Sequence, residues 1–399
     1  MSTGSIGGNW DLWGPLSERY RQARRHRVLA LDGGGIRGLL TLQILQRIED
    51  LLRGARDAGP EFRLSDFFDV IAGTSTGAII AAALARGMAV AEVLAFYRDF
   101  GREVFTKRSV FERWKSLYAD GPLQAKLQSV FGTSTTLEPS NLKCLLLVVT
   151  RNTTTDSAWP ILSNPWAKYN DPARPDCNLR IPLWQIVRAS TAAPVFFPPE
   201  VLAWDPNDSS KSFVFIDGGT TAYNNPAFLA ARMVTEPAYR LGWDRGEDRL
   251  LVVSVGTGAA PVVGTDATSP EENLVKSVSQ TLSGLMSQAA FDQDLNCRTI
   301  GRCTYGAPLD NEVGDLVPRD PDGPGGVPIP LTRDLGKAFL YARYNAALTA
   351  AGLKSLGLPD VDPAQVSKLD SVAAMGDLER IGRAVAEEVR LEQFGAFVS

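Results

Sequence analysis

One histidine, His26, is present among 399 residues, and it stands in the basic run RQARRHRV. That scarcity narrows the chemistry at once. A hydrolytic mechanism that uses an imidazole base has one candidate, and a zinc site built from several histidines lacks ligands. Cysteine is also sparse. Cys144, Cys177, Cys297 and Cys303 are scattered and form no C-x-x-C pair, so they read as free thiols, and no metal is expected. No apolar run approaches the roughly 20 residues that cross a bilayer; the longest, AIIAAALA, covers 78–85. The first 27 residues hold arginines without an apolar signal core. The chain is therefore expected to be soluble, unexported and cytoplasmic, with peripheral membrane contact at most. Charge of one sign is not in excess either. With a net charge of −4 and a pI near 5.4, neither nucleic acid nor long-range attraction to anionic lipid is expected.

What is present is an ordinary globular composition, 44% hydrophobic and 22% charged, in a chain long enough to bury a sizeable core. RVLALD at 27–32 runs into three glycines, and LLTLQILQRIEDLL follows with Leu42, Leu45, Ile48 and Leu52 at helical spacing. This spells strand, glycine turn, helix. FFDVIAG at 67–73 makes a second strand with Ser75 at its turn, and GAIIAAALARG continues as a helix closed by Gly87. Two strands joined by one helix are expected to be parallel neighbours, so both turns should face one crevice beyond the carboxyl ends of the strands.

The apolar runs at 144–150, 213–219 and 250–258 read as further central strands, which gives a mostly parallel sheet between helices. Residues 150–177 and 322–330 read as loops, and from about 334 the periodicity is helical with mixed charge. The expected division is an N-terminal extension (1–26), an α/β domain (27–333) and a helical C-terminal section (334–399).

Three short stretches carry chemistry. Gly73, Thr74, Ser75, Thr76 and Gly77 form a G-x-S-x-G elbow between strand and helix, the setting that lifts a nucleophilic serine into a site. The following helix start offers free N–H groups to an oxyanion. DGGGIRG at 32–38 fits a dinucleotide fingerprint through Gly33, Gly35 and Gly38, with Glu49 or Asp50 roughly at the acidic position. The same glycines suit an oxyanion hole, and the adjacent nucleophile favours that reading. Arg37 reads either as a helper that holds lipid phosphate or as a solvent-facing residue. FIDGG at 215–219 places Asp217 before Gly218 and Gly219 at a strand end, where desolvation can raise a carboxylate into the range of a general base.

In this order, DGGGIRG, GTSTG and DGG resemble the patatin-like phospholipase family, and the likeness runs from about residue 27 to 258. It implies a three-layer α/β/α patatin-like fold with a mostly parallel central sheet and a helical C-terminal section. It also implies a lipid acyl hydrolase that acts without histidine, metal or cofactor. By that likeness Ser75 is the nucleophile, Asp217 the base, and the Gly34 and Gly35 amides the oxyanion donors, while the expected partner is a lipid at a membrane or micelle surface. A homo-oligomer is compatible with it. Some bacterial relatives are switched on by a second messenger and degrade membranes in phage defence, and a thioesterase or carboxylesterase with the same dyad is a further alternative. STAAPVFFPP at 190–199 resembles a family segment whose Ala192, Ala193, Val195, Phe196 and Phe197 line an acyl pocket or simply a core loop. Trp10, Trp13, Trp159 and Trp166 either sit at a lipid interface or cover core.

Overall fold

Alternation along the central strands decides the architecture. Leu29, Leu31, Ile71, Leu146, Val148, Leu251 and Val253 belong to one buried cluster, and Val28, Ala30, Val70, Ala72, Leu147, Val252 and Leu250 to another. A strand that is apolar on both faces must be covered on both, which is the condition of a parallel sheet sandwiched by helices. The computed structural model describes residues 9–21, 24–104, 120–203, 205, 208, 210–259, 272–309, 316–317 and 336–398. The connector read at 322–330 and the boundary at 333/334 lie outside them.

Among the described residues nine strands form the sheet: β1 (His26–Leu31), β2 (Val70–Thr74), β3 (Leu145–Asn152), β4 (Ser157–Leu162), β5 (Glu200–Ala203), β6 (Ser212–Asp217), β7 (Leu250–Val255), β8 (Arg302–Tyr305) and β9 (Leu340–Tyr344). Their order is β5-β6-β3-β2-β1-β7-β9-β8, with β4 paired to β3. From β3 through β8 every neighbouring pair on this path is parallel. One face carries α1 (Gly38–Ala55), α2 (Thr76–Ala85), α3 (Val90–Val104), α4 (Leu183–Ser190) and, packed on α1, α7 (Met375–Ala386). The other carries α5 (Ala227–Thr235) and meets α6 (Glu272–Ile300).

Three sequence readings are corrected. Residues 340–344 are not helical but form β9, a buried strand parallel to β7 and β8. Leu, Ala and Arg favour helix, yet Leu340, Ala342 and Tyr344 enter one core cluster while Phe339 and Tyr341 enter the other, a period of two that burial enforces. Helix resumes only at Ala350. Part of the expected loop at 150–177 is a hairpin, with β3 running to Asn152 and returning as β4; Pro160 is tolerated because β4 is an edge strand.

The third correction concerns β6, which runs antiparallel to β3. On one edge of β3, β2 pairs with residues 145–149; on the opposite edge, β4 pairs with 147–152. Because β6 pairs with 150–152, it must occupy the β2 edge beyond the point where β2 ends. Thr74 lies beside Val149 and Asp217 beside Thr150. The aspartate therefore enters, from the opposite direction, the lane that the serine leaves.

The N-terminal indoles cover core. Trp10, Trp13 and Trp166 pack ring to ring at 4.5–5.6 Å, and buried Trp13 lies 4.9 Å from Tyr20, whose hydroxyl donates to the Asp69 carbonyl at the start of β2. That is the edge opposite Ser75. Trp159 packs on Phe213 and Phe215 across β4 and β6. The four cysteines are buried free thiols.

Candidate active site

Ser75 follows β2 directly and holds φ 54°, ψ −123°, a strained conformation that only close surroundings maintain. A Cβ on Gly77 would overlap the Leu31 carbonyl, so the turn requires glycine there. Ser190, fully buried at the end of α4, accepts from the Ser75 amide at 2.8 Å and donates to the Val149 carbonyl at 2.7 Å. The elbow is thus tied to β3. Its hydroxyl lies 2.5 Å from Asp217 Oδ2, and the other carboxylate oxygen accepts from the Gly219 amide at 2.7 Å.

The glycine loop after β1 closes the other side. Gly35, at φ 59°, lies where a Cβ would overlap the Leu369 carbonyl, and its own carbonyl accepts from Thr76 Oγ1 at 2.9 Å and the Tyr97 hydroxyl at 2.6 Å. The Gly33 amide is engaged by the Asn224 carbonyl at 3.1 Å, which removes it as an oxyanion donor. The next two peptides are held by their oxygens. Thr257 Oγ1 donates to the Gly33 carbonyl at 2.8 Å, and Arg37 donates to the Gly34 carbonyl through Nε at 3.3 Å and its amide at 3.2 Å. In a trans peptide the N–H points away from the C=O. The Gly34 and Gly35 N–H groups therefore point away from Thr257 and from Arg37, and Gly35 lines the pocket that contains Ser75 and Asp217.

All three loops lie within residues 29–231, which match the patatin-like phospholipase family. The chain belongs to that family. It is 29% identical over 240 residues to a cGAMP-activated phospholipase of Escherichia coli (strain TW11681), covering 58% of this chain and 62% of the relative. Patatin-like protein 1 of Arabidopsis thaliana is 29% identical over 255 residues, 58% of each chain. A cGAMP-activated phospholipase of Vibrio cholerae serotype O1 is 31% identical over 221 residues, 52% of this chain and 57% of the relative. The match spans less than two thirds of the length of these relatives.

In this patatin-like chain the electrostatics of Asp217 are set first by burial, which pushes its carboxyl up from 3.8 to about 6. The Ser75 hydroxyl, the Gly219 amide and the charge of Arg188 oppose that rise. The outcome is a carboxylate that is ionised at neutral pH yet basic enough to take a proton from a hydroxyl. His26 is remote from this chemistry. It opens β1, at the far end of a six-residue strand from the glycine loop, about 20 Å away at 3.3 Å per residue. There it stacks on Trp243 at 3.8 Å and lies 3.6 Å from Asp69.

Arg37 is buried, not solvent-facing, and its Nη1 donates to the Gly258 carbonyl at 3.3 Å. Of the two acidic residues considered for a nucleotide reading of the glycines, Glu49 is buried and accepts from the Val90 amide at 3.2 Å, and Asp50 accepts from Gln46 and Arg53 of its own helix. Ala193, Phe196 and Phe197 line the pocket together with Ile79, Leu282 and Met286. Ala192 instead accepts the Asp217 amide through its carbonyl, and Val195 packs on the core at φ 74°. With its mouth the pocket encloses about 570 Å³. Among the described residues no three His, Cys, Asp or Glu side chains group as a metal-ligand set.

Sequence reasoning missed Ser190, Asn224 and Thr257, and nothing in a lone polar residue at a strand or helix end marks it as a brace. Thr257→Val tests one of them. Losing a net hydrogen bond of about 1 kcal/mol that fixes the Gly33–Gly34 peptide beside the pocket should lower kcat roughly fivefold to tenfold while KM stays near wild type. Steady-state kinetics on a single ester substrate check it.

Proposed function

We propose that this chain hydrolyses fatty-acyl esters of phospholipids through a serine acyl-enzyme. The observation that carries the reading is the 2.5 Å contact between Ser75 Oγ and the buried Asp217 carboxylate, placed in an apolar pocket beside a glycine loop. Family membership supports a lipid substrate. So does the pocket rim, where Leu285 on α6 is 62% exposed beside Leu282 and Met286, which line the pocket.

In the proposed sequence Ser75 Oγ attacks the ester carbonyl as Asp217 takes the hydroxyl proton, and the Gly34 and Gly35 amides donate hydrogen bonds to the developing oxyanion. The tetrahedral intermediate collapses, the leaving alcohol takes the proton back from Asp217, and the acyl group remains on Ser75. Asp217, ionised again, removes a proton from water, which attacks the acyl-enzyme. Collapse of the second tetrahedral intermediate frees the fatty acid and returns that proton to Ser75. Each turnover consumes one ester and one water.

Incubation with a mixed phospholipid extract, followed by mass spectrometry, should show fatty acids and lysolipids rising together in proportion to enzyme. Turnover confined to soluble short-chain esters or thioesters, with phospholipid untouched, contradicts the proposal in favour of a carboxylesterase or thioesterase.

A further inference from the structure

Behind the glycine loop, on the side to which the Gly33 and Gly34 carbonyls are pulled, lies a second and larger cavity of about 890 Å³ including its mouth. Thr257 and Arg37, the two residues that hold those carbonyls, are on its wall, and Met286 is shared with the catalytic pocket. Its charges are unevenly matched. Asp32 is paired with Arg343 through two bonds of 2.7 and 2.5 Å, and Asp294 with Arg298 through two of 2.9 Å. Arg37 has no carboxylate within ion-pair distance among the described residues; its side chain donates only to two backbone carbonyls, each at 3.3 Å. Burial pushes its guanidinium down to about 10, which still leaves it charged at neutral pH.

The charge of Asp32 reaches Arg37 without contact, but that carboxylate is bonded to Arg343, so the Arg37 cation is only partly compensated. Asn224, also on the wall, turns its Nδ2 toward the Gly33 and Met286 carbonyls at 3.4 Å, and its Oδ1 is closed off from the cavity. Across the cavity Asn345 uses its Oδ1 to accept from the Gly258 amide, which leaves its NH2 group as a donor on the wall, and Ser287 adds a hydroxyl. Among the described residues the wall carries one net positive charge and several separate donors out of one plane, which suits the tetrahedral oxygens of a phosphate better than the coplanar pair of a carboxylate.

We infer that this cavity is a binding site for a phosphate ester, with its phosphate at Arg37. Such an occupant touches Arg37 and the wall beside Thr257, the groups that aim the Gly34 and Gly35 amides, so binding is coupled to the oxyanion side of the catalytic pocket. The binding claim is independent of the proposed hydrolysis; only the coupling rests on it.

The source of the phosphate ester is either a soluble metabolite or a lipid headgroup, and the probes separate them. Isothermal titration of the Ser75→Ala protein with inorganic phosphate, glycerol 3-phosphate and submicellar short-chain phosphatidylglycerol should give saturable one-to-one binding for at least one organic phosphate, tighter than for inorganic phosphate. Glycerol 3-phosphate binding identifies a soluble ligand as sufficient, and binding of phosphatidylglycerol alone identifies a headgroup. Ala290→Trp fills the cavity from α6 without removing a hydrogen bond or a charge, and should weaken binding at least tenfold while hydrolysis without ligand persists. Arg37→Gln should weaken it comparably. The inference is overturned if no probe binds saturably, if Ala290→Trp binds as tightly as its parent, or if fluorophosphonate labelling of Ser75 in the wild type abolishes binding, which would put the ligand in the catalytic pocket. Because titration reads heat of binding, a chain with no ester hydrolysis at all still returns a decision.

Discussion

Ser75→Ala is expected to abolish ester hydrolysis, with a fall on the order of 10⁴-fold or more, because the covalent route ends with the hydroxyl. The chain should remain folded. The substitution removes one oxygen, leaves the amide bond to Ser190 in place, and does not change the kind of residue strained at positive φ. Labelling by a fluorophosphonate should disappear with activity, as read by intact-protein mass spectrometry. Labelling of a different serine in the variant, with activity retained, contradicts the assignment.

Asp217→Asn is expected to lose activity to a similar extent although it is nearly isosteric, because an amide cannot accept the serine proton at neutral pH. Its stability should move the other way. The carboxyl is raised in the folded chain, to about 6 from 3.8, so the folded state keeps the proton over a range in which the unfolded state has released it. Wild-type stability therefore falls as pH rises from about 4 to 6, by on the order of 3 kcal/mol, and the asparagine variant does not share that fall. Denaturant unfolding at pH 4 and pH 8 should show the variant gaining on wild type at the higher pH. Equal loss in both proteins means that Asp217 is not held against its ionisation.

Much of this arrangement is legible in the sequence because the glycines and small residues at 33–35 and 73–77 occupy turns that tolerate little else, and because β1, β2 and β7 are apolar on both faces. Those features place the first two loops at one sheet edge. The third arrives there for a reason that periodicity does not contain: an apolar run such as FVFID has no direction, and only the pairing with residues 150–152 makes β6 antiparallel. Residues 340–344 misread for the converse reason, since their composition favours helix locally and the demand for two buried faces comes from β7 and β8. Arg37 looks like a surface arginine on a first helical turn until Gly258, distant in sequence, supplies its second carbonyl. Long-range partners are what a local pattern lacks.

The account stands on a carboxylate, and not an imidazole, acting as the base, and a pH profile alone does not separate the two, because burial brings Asp217 to about 6, close to ordinary histidine. The direct measurement is kcat/KM against pH for the folded His26→Gln protein. The acid limb, falling about tenfold per pH unit below an apparent pKa near 6, should be unchanged from wild type, and the plateau should stay close to the wild-type value. A limb that vanishes or a plateau that collapses when His26 is replaced contradicts the Ser75–Asp217 mechanism.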